Sequence, residues 1–133
     1  MRVLTIPSQD GELTQIRSLC REGDLPGPEI LSHTQLHLTL RELLETPPPY
    51  PEINSMTTNA CLMGVVHPVV LFANVAPAQV QRAVKLARQQ AIWPIFAVVT
   101  RQSIDFTLAI LLEHLNQDRS HERQLLAQRQ AAR

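Results

Sequence analysis

Apolar and polar residues are arranged in two alternating patterns along this chain. Short apolar runs indicate strands at 3–6, 29–32, 69–75 and 95–100. After each run, apolar residues recur every three or four positions, which is typical of one buried helix face. The four predicted helix faces are Leu13, Ile16, Leu19 and Cys20; Leu36, Leu40, Leu43 and Leu44; Val80, Ala83, Val84 and Ala87; and Leu108, Leu111, Leu112 and Leu115. The pattern predicts strand and helix in alternation, with the last helix starting near Ser103 to Asp105.

Three segments fall outside this alternation. A connector over about 46–59 contains the proline-rich run 46–51, which favours a semi-rigid spacer; a proline-rich ligand for another protein is the alternative. Ala60 to Val66 are interpreted as a short extra strand. Residues 116–133 have a thin apolar stripe among alternating charges, which predicts a helical extension that frays or packs on a partner.

Two stretches of the chain resemble each other. Residues 30–45 align without a gap on residues 98–113, and five of the sixteen positions are identical. The identical pairs are Thr39/Thr107, Leu40/Leu108, Leu43/Leu111, Leu44/Leu112 and Glu45/Glu113. This similarity suggests that one β-α-β-α unit occurs twice, over about 2–46 and about 60–115.

The predicted fold is therefore a single α/β domain over residues 1–133. Two β-α-β units imply parallel strand pairs, so we expect a mainly parallel sheet covered by helices, with internal pseudo-two-fold symmetry. Ligand clefts in such sheets lie at the carboxyl ends of the strands.

Composition restricts the class of protein more than its function. The chain has 44% hydrophobic and 18% charged residues, which is typical of a soluble globular domain. Twelve basic residues balance twelve acidic ones, so neither nucleic acid nor an anionic membrane is an expected partner. No stretch resembles a signal peptide or a membrane span, and a cytoplasmic location is expected. Cys20 and Cys61 are expected to be two buried, reduced thiols.

The second half resembles a small bacterial family of unknown function, numbered 3783. The resemblance is strongest over residues 69–115. It rests on the strand 69–75, on the strand end 97–100 with its polar turn, and on the leucine-rich segment 107–115 with Phe106 before it. Where the family often has a glycine after the first of these strands, this chain has Asn74 and Val75. The resemblance implies a fold but no mechanism.

Candidate chemistry is sparse. His33 and His37 have the spacing of two metal ligands on one helix face, but no third ligand has an obvious place. No nucleophile elbow, P-loop or dinucleotide glycine pattern occurs among the four glycines. The sequence therefore predicts no catalytic residues, no metal and no cofactor, and an enzyme is not the favoured interpretation.

The turns after the second and fourth strands are more suggestive. Ser32 and His33 in one turn, and Thr100, Arg101 and Ser103 in the other, place hydroxyls and a basic group before a helix. Free backbone N–H groups there favour an anion, although hydroxyls at such positions also serve simply as helix caps.

Two hypotheses of function follow. The favoured one is a non-catalytic protein-interaction module that binds another copy of itself or another protein. The alternative is a sensor that binds a small anionic metabolite at the carboxyl ends of the strands.

Overall fold

The computed structural model describes residues 1–45, 55–91 and 94–117. An α/β architecture is confirmed, with one four-stranded sheet in the order β2-β1-β3-β4. The strands are β1 (Arg2–Ile6), β2 (Glu29–Ile30), β3 (Val69–Ala73) and β4 (Ile95–Val98). All four predicted strands are present, and the second, third and fourth are shorter than expected.

The sheet is mixed rather than mainly parallel. The two outer pairs, β1 with β2 and β3 with β4, are parallel, whereas the central pair of β1 and β3 is antiparallel. Ile6 at the end of β1 lies opposite Val69 at the start of β3. The chain therefore enters β3 at the end of the sheet where it left β1, and β3 must run back along β1.

The described helices cover both faces of the sheet. They are α1 (Asp10–Glu22), α2 (Leu40–Glu45), α3 (Met56–Leu62) and α4 (Pro77–Gln89), and α5 over residues 108–117. A single 3₁₀ turn, His33–Gln35, precedes α2. The second and last helices both begin later than the apolar spacing predicts, because turns occupy the residues before Leu40 and before Leu108.

Alternate side chains of the sheet enter two separate cores. We call one side the helix face, where Val3 and Phe72 pack with Ile16 of α1 and Ala83 of α4. We call the other the turn face, where strand residues pack with short helices and turns. The core of the turn face includes Leu4, Ile6, Val69 and Leu71 from the sheet, Leu40 and Leu43 from α2, and Leu108, Leu111 and Leu112 from α5. All of β3 is buried, as its continuous apolar run predicts.

The two long helices end in the same way. After α1, Asp24 has a φ of 56° and donates its N–H to Arg21 O at 3.4 Å. After α4, Ala91 has a φ of 58° and donates to Arg88 O at 3.2 Å. A residue in the left-handed region satisfies the last helical carbonyls, although glycine is the usual choice.

The extra strand predicted at 60–66 is wrong, because helix α3 runs into this stretch. Ser55 Oγ accepts the Thr58 N–H at 3.3 Å and caps its first turn. At the other end Gly64 has a φ of 70°, and Val65 donates its N–H to Ala60 O at 2.9 Å. Both ends of a short helix are thus satisfied locally, which outweighs the strand preference of the apolar residues.

The segments before α2 and α5 bond to each other. Leu40 N donates to Phe106 O, and Leu108 N donates to Leu38 O, each at 2.9 Å. Thr39 and Thr107 form an antiparallel bridge at the centre of this contact. These bonds bring α2 and the turn after β4 together, and this contact forms one wall of the candidate site.

Several expectations concern residues beyond the described ranges. The proline-rich run 46–51 and most of the C-terminal extension lie outside them. Within the described residues, no helix is long and apolar enough to cross a membrane.

The expectation of two buried thiols holds for Cys20 only, since Cys61 is exposed. Burial raises the pKa of the Cys20 thiol to about 11.

Candidate functional site

The predicted site residues form two separate groups. Ser32 and His33 follow β2, whereas Thr100, Arg101 and Ser103 follow β4. Strands β2 and β4 are the two outer strands, and the antiparallel central pair makes them run in opposite directions. The two turns therefore lie at opposite ends of the sheet and do not line one cleft. We call residues 32–35 the Ser32 turn and residues 100–103 the Thr100 turn.

The polar groups of the Ser32 turn are already used within the protein. Gln35 Oε1 accepts the Ser32 N–H at 2.8 Å, and Ser32 Oγ accepts the Thr34 N–H at 3.3 Å. Asn59 of α3 lies against the turn, where its Oδ1 accepts the His33 N–H at 2.8 Å and its Nδ2 donates to Leu31 O at 2.9 Å. Asn59 is buried. Hydroxyl capping and the contact with α3 together account for the backbone donors of Ser32, His33 and Thr34.

The Thr100 turn has the same cap but a more open surface. Ser103 Oγ accepts the Thr100 N–H at 2.9 Å, and Thr100 Oγ1 accepts the Ser103 N–H at 3.3 Å. Arg101 and Gln102 are exposed. Within the described part of the chain, neither the backbone N–H nor the guanidinium of Arg101 has a hydrogen-bond partner, and neither does Val99 O. This turn thus offers a free donor, a free acceptor and a charge.

A cavity of about 520 Å³ opens beside the Thr100 turn, and we call it the Arg101 cavity. It lies where the adjacent parallel strands β3 and β4 end, which is the place expected for a ligand cleft in such a sheet. Its lining residues are Arg41 and Leu44 from α2, Ala73 and Asn74 after β3, and Val99, Thr100, Arg101 and Ile104 after β4.

The electrostatics of the cavity are set by two arginines. Among the described residues that line it, Arg41 and Arg101 are the charged ones and none is acidic. Arg41 Nε lies 3.1 Å from Asp105 Oδ1 in an exposed ion pair, which holds the Arg41 side chain near the rim. Exposed ion pairs of this kind are weak, so Arg41 remains able to turn towards an incoming carboxylate.

Asn74 was not among the predicted site residues, but the resemblance had singled out its position. Its φ is 57°, a left-handed conformation that suits glycine and that asparagine tolerates better than most residues. The resemblance implies a glycine after this strand, and the backbone conformation explains why Asn74 can stand there. The asparagine adds a polar side chain at the exposed mouth of the cavity.

Arg41 is the charged site residue that sequence reasoning missed. It belongs to the first half of the chain, far from the Thr100 turn in sequence. Arg41 N donates to Ile104 O at 2.9 Å, and this backbone bond between α2 and the segment before α5 brings the two arginines to one cavity. The alignment of 30–45 with 98–113 was the signal that these segments share a structure, but it does not predict that they touch.

The two histidines with the spacing of metal ligands lie in different surroundings. His33 lies in the 3₁₀ turn, where its Nδ1 is 3.1 Å from Asn59 Oδ1, and His37 lies beyond that turn on the way to α2. Within the described ranges, no three histidine, cysteine or carboxylate residues are grouped as metal ligands. The groups that the described lining of the Arg101 cavity offers to a ligand are two guanidinium groups and the backbone groups of the Thr100 turn.

Comparison with known proteins agrees with the resemblance seen in the sequence. We find no significant match to a curated protein or to a solved structure. Residues 68–121 match the model of the family described as a domain of unknown function (DUF3783), which confirms the predicted resemblance for that part of the chain. The matched segment includes β3, β4 and the Thr100 turn, whereas Arg41 and Leu44 lie outside it.

Proposed function

We propose that this protein is a non-catalytic protein-interaction module and that the Arg101 cavity is its recognition surface. The observation that carries the proposal is an open cavity of about 520 Å³ whose described lining residues include two arginines and no acidic residue. Its volume falls within the range of about 300–1,000 Å³ that is usual for binding pockets. In the part of the lining that the structure describes, there is no histidine, cysteine or carboxylate to act as a base or nucleophile.

The charge of the cavity defines the kind of partner. Guanidinium groups bind carboxylates through paired, charge-assisted hydrogen bonds. Arg101 is exposed and has no ion-pair partner within the described residues, so little is lost when a ligand engages it. The partner is therefore an acidic segment, and complementary charge supports both its specificity and its rate of association.

The test is a selection of binding peptides from a displayed random library against the intact chain. Peptides rich in Asp and Glu are expected, and their affinity should fall about tenfold or more for Arg101→Glu. Arg88→Glu is the matched control, because it makes the same charge change at an exposed position of α4 and should leave binding unchanged. If no selected peptide distinguishes Arg101→Glu from Arg88→Glu, the cavity is not an interaction surface.

We also propose that the scaffold is a duplicated β-α-β-α unit with a pseudo-two-fold axis. The strand registers support this, because Leu4 lies opposite Leu71 at the centre of the antiparallel pair and each central strand has a parallel partner. Helices α1 and α4 have 13 residues each and are followed by Asp24 and Ala91, both with positive φ.

The contact between the two aligned stretches gives further support for duplication. Thr39 and Thr107, which pair with each other across the bridge, are also aligned with each other in sequence. The bonds from Arg41 N to Ile104 O and from Ala109 N to Leu36 O join aligned positions reciprocally. An experimental structure in which residues 1–45 superpose on 68–113 is the expected result, and different secondary structure in the two stretches would contradict the duplication.

Self-association is the simplest form of the interaction hypothesis, and a second protein is the other. Leu62, Val66 and Ile110 are large apolar side chains exposed on the surface, with Val66 at 76%. Sedimentation velocity of the intact chain over a hundredfold range of concentration distinguishes the two forms. A dimer that is unchanged by Leu62→Ser and Ile110→Ser would exclude these side chains from its interface.

A sensor for a small anionic metabolite is the alternative function, and the paired arginines at the strand ends are the observation in its favour. A bound ligand raises the melting temperature in proportion to the logarithm of its concentration above its dissociation constant. The test is a thermal-shift titration with nucleotides and phosphorylated metabolites. A response in the native chain that is lost in Arg101→Ala would support the sensor, and no response to any of them would remove it.

A further inference from the structure

The surroundings of helix α3 indicate what kind of group fits the Arg101 cavity. In the first half of the chain, one carboxamide, that of Asn59, bonds both a carbonyl and an N–H of the turn after β2. The bonds are Nδ2 to Leu31 O at 2.9 Å and His33 N to Oδ1 at 2.8 Å. Asn59 is only 2% exposed, so α3 closes this part of the first half and fills it.

The same two backbone groups are free in the second half. In the alignment of the two stretches, Leu31 corresponds to Val99 and His33 corresponds to Arg101. Both Val99 and Arg101 line the Arg101 cavity, and Val99 O and Arg101 N have no hydrogen-bond partner in the described ranges. The cavity thus has the carbonyl and the N–H, but no carboxamide.

The residues that line the Arg101 cavity also correspond to residues that line the space beside α3. A second cavity of about 350 Å³ lies next to the end of α3 and is lined by Leu36, Ala109 and Leu112, together with Met63 and Gly64. The first three of these residues align with Ile104, Arg41 and Leu44, which line the Arg101 cavity. In the first half α3 and its end fill part of this space, whereas in the second half the larger cavity remains.

We propose that the Arg101 cavity binds a helical segment of an acidic partner protein, and that an Asn or Gln carboxamide of that segment bridges Val99 O and Arg101 N. This inference rests on the proposed interaction function and names its partner. The segment takes the position in the second half that α3 takes in the first. Its carboxylates engage the guanidinium groups of Arg41 and Arg101. Arg41 has no basic counterpart in the other half, because Ala109 occupies the aligned position.

We infer a carboxamide because one free backbone group is a donor and the other is an acceptor, and because Asn59 bonds the corresponding pair in the first half. A carboxylate or phosphate accepts the Arg101 N–H, but it cannot donate to Val99 O, and two acceptors held close together repel each other. A carboxamide offers one acceptor and two N–H donors on the same planar group. One carboxamide can therefore satisfy both backbone groups at once, as that of Asn59 does in the first half.

The test compares two substitutions at one position of the intact chain. Arg101→Ala removes the guanidinium and keeps the backbone N–H, whereas Arg101→Pro removes both. Arg101 directly follows the capping residue Thr100, and proline is well tolerated at this first position of a helical turn. Each variant is assayed by fluorescence anisotropy with an acidic peptide recovered from the selection above and with the same peptide after Asn→Asp or Gln→Glu exchange.

We expect Arg101→Ala to weaken binding of the peptide. Arg101→Pro should weaken binding about tenfold further, because it also removes one hydrogen bond in a closed site. Exchange of the carboxamide for a carboxylate should cost about tenfold in the native chain and also weaken binding to Arg101→Pro, because the donor to Val99 O is lost in both. Equal binding by the proline and alanine variants, with no effect of the exchange, would overturn the carboxamide bridge and leave the interaction surface intact.

A second measurement does not depend on the folding of the proline variant. In ¹⁵N spectra of the native chain, the Arg101 amide should shift downfield on saturation with the peptide, and its hydrogen exchange should slow. An unchanged Arg101 amide at saturation would overturn the bridge. Association of the chain with itself through Arg101 would identify a second copy as the occupant and exclude a separate partner. The absence of any Arg101-dependent peptide would instead reject the interaction function itself.

Discussion

The two faces of the sheet are covered by different kinds of secondary structure. On the helix face, two regular helices of 13 residues lie over β1 and β3 and pack against each other. On the turn face, short helices and turns from both halves are tied together by backbone bonds across Thr39 and Thr107. A long helix covers a sheet evenly, whereas short pieces leave gaps between them. The Arg101 cavity lies in such a gap, beside the end of β4. The second cavity lies in a corresponding gap, which α3 and its end partly close.

The largest expected effect tests whether the turn face is packed as tightly as the helix face. Leu111 on the turn face is 8% exposed, and Leu19 on the helix face is 1% exposed. Each change to alanine should destabilise by about 2–5 kcal/mol. Urea denaturation midpoints measure this, with the exposed Lys85→Ala as control at less than about 0.5 kcal/mol. If Leu111→Ala behaves like Lys85→Ala, the turn face has no close-packed core at α5.

The next effect concerns the part of the turn face that α3 covers. Asn59→Ala leaves the buried Leu31 O and the partly buried His33 N without their partner, which should cost about 1–3 kcal/mol. Thr58→Ala is the neighbouring control, because Thr58 is exposed on the same helix. Thermal and urea unfolding of the two variants measure the difference. Equal stability would mean that α3 is held by its apolar contacts alone, and it would weaken the analogy with the Arg101 cavity.

The sequence was most informative about the helix face. The spacing of Leu13, Ile16, Leu19 and Cys20 predicted α1 and its buried side, because a helix lying on a sheet has one constant environment along its length. On the turn face the same reasoning placed the start of α5 too early. Ile104 and Phe106 continue the apolar spacing, but their carbonyls accept bonds from Arg41 and Leu40 of the other half. Such long-range bonds leave no periodic signal in a sequence.

The residues of the candidate site likewise divide into those that a local sequence pattern predicts and those that long-range contacts bring together. Thr100, Arg101 and Ser103 were predicted because a polar turn follows an apolar strand, which is a local pattern. Arg41 was not predicted, because it reaches the site only through the pairing of the two aligned stretches. The extra strand over 60–66 was predicted wrongly because the caps at Ser55 and Gly64 set the ends of α3. Apolar composition alone does not reveal these caps.

A smaller effect concerns the caps of α2 and α5, which align in sequence but differ in one residue. Glu42 Oε1 accepts the Thr39 N–H at 3.1 Å, whereas Ile110 occupies the aligned position after Thr107. This backbone bond, followed by the bond from the Thr39 hydroxyl, lowers the pKa of Glu42 below its ordinary value of 4.5. Only the cap of α2 should therefore depend on pH.

The sign follows from the direction of that pKa change. A carboxyl whose pKa is lower in the folded state stabilises the fold above its unfolded pKa, and this contribution is lost as the pH falls through the folded pKa. Glu42→Gln should therefore reduce the loss of stability between pH 6 and pH 3, measured as the shift in melting temperature. Glu113→Gln, at an exposed site on α5, should keep the pH dependence of the native chain. Identical pH dependence in Glu42→Gln would show that the Thr39 bond is unimportant.

The smallest expected effect on stability is at the residue that we expect to matter most for binding. Arg2 and Arg101 have the same type of side chain, but among the described residues only that of Arg2 makes bonds that hold the fold together. Arg2 forms a two-point ion pair with Glu29 at 2.8 and 2.9 Å and donates to Leu44 O at 2.7 Å, which ties β1, β2 and α2 together. Arg101 is exposed at the mouth of the cavity and has no such bonds in the described part of the chain.

Arg101→Ala should therefore change the free energy of unfolding by less than about 0.5 kcal/mol, whereas Arg2→Ala should cost about 1–3 kcal/mol because it breaks charge-assisted bonds that are partly buried. Urea unfolding at low and moderate salt measures both. A large loss of stability in Arg101→Ala would identify Arg101 as a structural clamp. It would also remove the basis of the binding proposal, because the guanidinium would then be occupied within the fold. A stable Arg101→Ala variant with weakened peptide binding is the outcome that separates the two arginines by function.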